Sequence, residues 1–96
     1  MLYPQPDDPE AFDRHYREVH IPLAKQLPGL RRYTVSRSQA QVRGGAPYYL
    51  IAELDWDDKE SMQRAFQSPA GKATADDVPT FAPSGVISMT FEVEEV

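Results

Sequence analysis

A proline placed two residues after a histidine, inside an otherwise amphipathic helical stretch, constrains this chain more than any other feature. From Pro9 to Leu30 the sequence reads PEAFDRHYREVHIPLAKQLPGL, and Phe12, Tyr16, Val19, Leu23 and Leu27 follow at gaps of four, three, four and four. Such spacing draws one apolar stripe along a helix. Asp8 offers a side-chain cap, and Pro9 suits the first helical position, where its missing N–H is no loss. At about 100° per residue, His20 falls at the edge of the stripe while His15 points away from it and reads as solvated. Pro22 cannot donate to the carbonyl of Glu18 and its ring crowds that carbonyl, so a kink is expected just after His20. Pro28-Gly29 then ends the segment.

The remaining chain divides into short pieces. Met1 to Tyr3 reads as a brief first strand, cut off by Pro4 and Pro6 or continued from a start further upstream. Leu30 to Val42 reads as a second strand, with Tyr33 and Val35 on one face, and Arg43-Gly44-Gly45-Ala46-Pro47 as a hairpin-type turn. Tyr48 to Trp56 is the most apolar strand. Tyr48, Leu50, Ala52, Leu54 and Trp56 share one face of it, Tyr49, Ile51, Glu53 and Asp55 the other. Asp57 or Asp58 caps a second helix whose inner face is Met62, Ala65 and Phe66. Ser68-Pro69 starts a short helix through about Asp76, followed by a loop, DDVPTFAPSG. Val86 to Val96 closes the chain as a strand, Ile87, Met89, Phe91 and Val93 alternating with polar residues.

Strand, helix, strand, strand, helix, strand is the ferredoxin-like βαββαβ order. It predicts an α+β fold, a four-stranded antiparallel sheet with both helices on one face, and a single domain over residues 1–96. The helix-free face would expose Tyr49 and Ile51, so a homodimer closing sheet against sheet is expected, with a small-molecule site in its interior.

Composition excludes several classes. The chain of 96 residues has no cysteine, which rules out disulfides and thiol chemistry. A net charge of −5 argues against nucleic acid. No run approaches a membrane span and the first residues do not form a signal peptide, so a soluble cytoplasmic protein is expected.

His20 is the candidate catalytic residue, because an imidazole titrates near pH ~6.5 and partial burial moves it readily. Read as packing only, it would bond a carbonyl freed by Pro22. Tyr16, Tyr33 and Tyr49 are candidate substrate-binding phenols or simply packed aromatics. Glu53 either faces substrate or pairs with an arginine of the second strand across an interface. Trp56 reads as core. No metal site is expected, since helical ligand pairs stand three or four residues apart and His15 and His20 stand five apart. Asp7-Asp8 and Asp76-Asp77 read as helix-end and loop carboxylates.

The string Phe12…Tyr16…His20-Ile21-Pro22-Leu23…Leu27-Pro28-Gly29-Leu30…Tyr33 resembles the EthD family, named for ethyl tert-butyl ether degradation, in the dimeric α/β-barrel superfamily. Tyr49-Leu50-Ile51-Ala52-Glu53-Leu54, Ser68-Pro69-Ala70-Gly71 and Asp77-Val78-Pro79…Phe81 continue the match. The resemblance implies a homodimer with a small-organic-ligand cleft. Its relatives include a methylmuconolactone isomerase that works without metal or cofactor, in which His20 matches the catalytic histidine position and Tyr33 a tyrosine near the same pocket. It implies three functions: a cofactor-independent acid/base enzyme working through His20, an accessory or ligand carrier for a degradative oxygenase, and a haem- or quinol-type monooxygenase.

Overall fold

A computed structural model describes residues 1–96. Strand β1 (Leu2–Tyr3) leads into α1 (Pro9–His15), a π-helical turn (Tyr16–His20) and α2 (Ile21–Ala24) as one continuous helical run. Next come β2 (Arg32–Val35), β3 (Leu50–Asp55), α3 (Lys59–Gln67) and α4 (Pro69–Phe81). The fold is α+β, with a small antiparallel sheet in the order β1-β3-β2. Tyr33 opposes Leu54 and Val35 opposes Ala52, so these side chains share the face that packs under the helices.

The helix starts are capped as the residue types dictate. Asp8 accepts from Ala11 N–H at 3.2 Å, Asp58 from Ser61 N–H at 2.7 Å and Ser68 from Gly71 N–H at 3.1 Å. The core is aromatic at one end, where Tyr3, Phe12 and Tyr16 are buried against Leu50 and Ala52. A second cluster joins Ala24, Leu27 and Ala65. Gly71 permits the closest approach at the α3–α4 corner, where a Cβ would stand 2.4 Å from the Ala65 carbonyl oxygen.

Pro22 acts differently from the expected kink. The strain is taken up one turn earlier, where Ile21 N–H bonds to the Tyr16 carbonyl instead of the Arg17 carbonyl and the turn gains a residue. The buried set becomes Phe12, Tyr16, His20, Ala24 and Leu27. Val19, expected inside, is 40 % exposed, because the extra residue rotates everything after Tyr16.

Other expectations are also corrected. Strand β2 stops at Val35, and residues 36–49 form a long loop rather than a tight hairpin. The helix expected to stop at Asp76 runs on to Phe81 with Pro79 inside its last turns. Tyr49 packs edge-on against Phe12, on the helix side rather than the bare face. Trp56 packs half-buried against the second core cluster, as expected of a core residue, and its Nε1–H also donates to the Pro28 carbonyl at 3.0 Å, beside Gly29. Gly29 has φ 73°, the left-handed conformation that ends the helical run. Phe66 is 44 % exposed rather than inner.

The expected fourth strand is reduced to one bridge. Leu2 and Ile87 exchange backbone hydrogen bonds of 2.8 and 3.0 Å. Beyond Ile87 the tail forms no ladder. The side chains of Met89, Phe91 and Val93 are consequently exposed. No helix is long and apolar enough to cross a membrane.

Candidate functional site

The widened turn places His15 and His20 on one carboxylate. A straight α-helix would hold residues five apart on different faces, but one inserted residue lets them stand as i and i+4 normally do. Asp77, on α4, accepts from His20 Nδ1 at 2.9 Å through Oδ2. It accepts from His15 Nε2 at 2.8 Å through Oδ1 and 3.1 Å through Oδ2. The Thr80 hydroxyl, one turn on, stands 3.1 Å from Asp77 Oδ1 and 2.6 Å from its carbonyl oxygen. Phe81 backs both imidazoles, its ring centre 5.0 Å from that of His15 and 4.9 Å from that of His20.

An ionised carboxylate only accepts, so each neutral imidazole must turn an N–H toward it. His20 therefore holds its proton on Nδ1 and presents an Nε2 lone pair, the arrangement a general base requires. Nε2 has no protein partner and is not sealed off. Burial lowers the His20 pKa, although hydrogen bonding and charge attraction from Asp77 work against that drop. For Asp77, burial alone would raise the carboxyl pKa. The hydrogen bonds from His15 and His20, with the charge of His15 and the Thr80 bond, outweigh it and hold the group below its ordinary range.

By spacing and composition alone, His15 reads as solvated and Asp77 as a loop carboxylate. Both are corrected: His15 is tied to Asp77 with its side chain 30 % exposed, and Asp77 is helical with its side chain 10 % exposed. The signal lay in Pro22, whose crowding of the Glu18 carbonyl favours an extra residue in the preceding turn. The spacing Asp77-x-x-Thr80 on a helix was the other trace.

Two of the three candidate phenols do meet. Tyr16 and Tyr33 hydroxyl oxygens lie 2.6 Å apart, and the Tyr16 ring centre is 5.3 Å from that of His20. Burial pushes the Tyr16 phenol up, reinforced by Tyr33. Burial also raises Tyr33, against the Tyr16 hydrogen bond and the Arg17 charge, which favour its phenolate. Tyr3 Oη is buried with no hydrogen-bond partner. The third phenol, Tyr49, stands apart and donates to Asp13 at 2.9 and 3.0 Å. Glu53 is exposed on β3, opposite Thr34, and pairs with no arginine of β2. It is not part of the His20 cluster.

Two clefts flank this cluster. One of about 370 Å³ is lined by His15, Thr80, Phe81, Phe12 and Asp8. The other, about 230 Å³, has Tyr16, Tyr49, Arg17 and Arg37 in its walls. His20 lines neither and sits in the wall between Tyr16 and Phe81. No three His, Asp or Glu side chains converge in a way that could hold a metal ion.

The sequence matches the EthD domain over residues 5–85. The chain belongs to the EthD family. A crystal structure of an ethyl tert-butyl ether degradation (EthD) family protein from Bacillus halodurans C-125 superposes with a TM-score of 0.76 at 43% identity, covering 84% of this chain and 81% of that one. A Rhodococcus erythropolis relative, described as an uncharacterised 11.0 kDa protein in the thcB-thcC intergenic region, is 37% identical over 95 residues, which is 99% of this chain and 91% of that protein. The EthD match spans both histidines, Asp77, Thr80 and the phenol pair.

Proposed function

We propose that this EthD domain binds a small organic molecule and moves a proton on it through His20, without a cofactor. The observation that carries this reading is the shared carboxylate, Asp77, which fixes the His20 tautomer so that Nε2 is free to act as a base. Tyr16 and Tyr33 would supply a phenol hydrogen bond to the oxygen of an enol or enolate. Lactones and small phenolic ketones, whose α-protons an imidazole can remove, fit this equipment. Two copies would enclose the site, the apolar tail beyond Ile87 covering the partner and completing the ferredoxin-like sheet.

The test needs no knowledge of the natural reaction. Lactones and phenolic ketones are incubated with the protein in deuterated water, and exchange at the α-carbon is followed by NMR. Accelerated exchange with the wild type, lost in His20→Ala and retained by a folded domain, supports the reading. Equal exchange in His20→Ala removes it.

A second reading is favoured by the burial of His20 away from both clefts. On it, the domain is an accessory ligand carrier for an oxygenase. Ligand binding would then survive His20→Ala, and no exchange would be catalysed by either protein.

A further inference from the structure

We propose that the 230 Å³ cleft beside the widened turn is a carboxylate-binding subsite, with Arg17 and Arg37 as its anion-binding side chains. The ion pairs of the molecule involve His15, His20, Arg31 and Lys72, so neither of these two exposed guanidinium groups is paired with a carboxylate. Asp13 is the one acidic residue in the walls, and it accepts the Tyr49 hydroxyl proton rather than pairing with either arginine. Two arginines and one aspartate leave this cleft formally positive in a chain of net charge −5. Such a local reversal of sign, in a concave site, draws anions.

Arginine presents a planar fork of N–H donors that matches a carboxylate, and two such forks fix its orientation. The cleft is below the roughly 300 Å³ of a drug-sized site, which suits a compact acid. Asp13 disfavours a dianion, so a monocarboxylate is the class that fits. Tyr16, whose hydroxyl lies 2.6 Å from that of Tyr33, lines the cleft with both arginines, which puts the anion end of a ligand close to the phenol pair. Tyr16 forms part of this cleft and packs against His20 on its other side. That the bound acid is the substrate rests on the acid/base reading above; that the cleft binds carboxylates does not.

Benzoate and its neutral isostere benzamide, titrated against the intact chain by amide NMR, test the subsite. The expected result is saturable benzoate binding with shifts centred on residues 13–17 and 36–39, weaker binding of benzamide, and about a tenfold loss of affinity in each of Arg17→Gln and Arg37→Gln. Arg31→Gln, which removes an exposed arginine outside the cleft, should bind benzoate as the wild type does. Benzamide binding as tightly as benzoate overturns the proposal, as does unchanged benzoate affinity in the double arginine variant. Benzoate binding that requires both arginines, beside proton exchange indifferent to His20, would uphold the subsite and sink the acid/base reading.

Discussion

Asp77 is the residue on which the site turns, because two imidazoles share its single negative charge. Asp77→Asn keeps the shape but removes the charge that favours a protonated His20. The His20 pKa, already depressed by burial, should fall further, read from the titration of its ring protons by NMR. Loss of both charge-assisted bonds should also destabilise the fold by about 1–3 kcal/mol in urea unfolding. A His20 titration unchanged by Asp77→Asn would show that the carboxylate does not tune it. The same groups set the acid limb of stability. A histidine with a lowered folded pKa is protonated more readily when unfolded, so stability grows with pH up to about 6.5 and levels above it. Asp77, held low, contributes above the ordinary carboxylate range and loses that contribution as pH falls through its depressed value. His20→Gln should flatten the limb below about pH 6.5 while leaving the carboxylate limb below pH 4, checked by thermal unfolding from pH 3 to 8.

At the scale of elements, the capping residues, the strand alternation of Leu50 and Ala52, and the helix starts at Pro9 and Pro69 were all legible, because each depends on a few neighbours in sequence. The pairing of His15 with His20 was not, since a constant 100° step assigns them to different faces. A single inserted residue undoes that step, and only the proline two positions past His20 hinted at it. Pro22→Ala restores an N–H that can bond the Glu18 carbonyl and close the turn to α geometry. His15 should then swing off Asp77, seen in a crystal structure of the variant as loss of the His15 Nε2–Asp77 hydrogen bond while His20 keeps its own. A His15 still bonded to Asp77 in that variant would mean the wide turn has another cause. The long α4 escaped notice for a related reason: Pro79 lies within its last turn, where losing one hydrogen bond is tolerable. Gly71 gives a further test of the α3–α4 corner. Gly71→Ala drives a methyl into the backbone of Ala65 and Phe66 and should cost about 1–3 kcal/mol or more in urea unfolding. A neutral result would mean the corner opens freely.

On the scale of the whole molecule, the apolar surface left over lies in an unexpected place. Sequence alternation puts it on the helix-free face of the sheet, but Tyr49 turns to the helix side, and Ile51 with its partner Leu2, both half-buried, is all that stands there beside Thr34, Glu53 and Asp55. The surplus is instead on the tail, where Phe91 is 72% and Val93 86% exposed. These residues alternate with Ser88, Thr90, Glu92 and Glu94, the pattern of a strand with one face to bury. Within one chain only Ile87 of this segment pairs with β1. A second copy offers both a sheet face and the apolar surface of its own tail, and a strand seated there would satisfy backbone groups that a single chain leaves to water. Sedimentation should accordingly give twice the 10.9 kDa protomer mass at micromolar concentration. Phe91→Glu, which changes no contact in the core of one chain, should shift that equilibrium to the single chain while its circular dichroism stays that of the wild type. If the wild type sediments as a single chain, the tail is an ordinary solvated end. A dimer undisturbed by Phe91→Glu would put the interface on another surface.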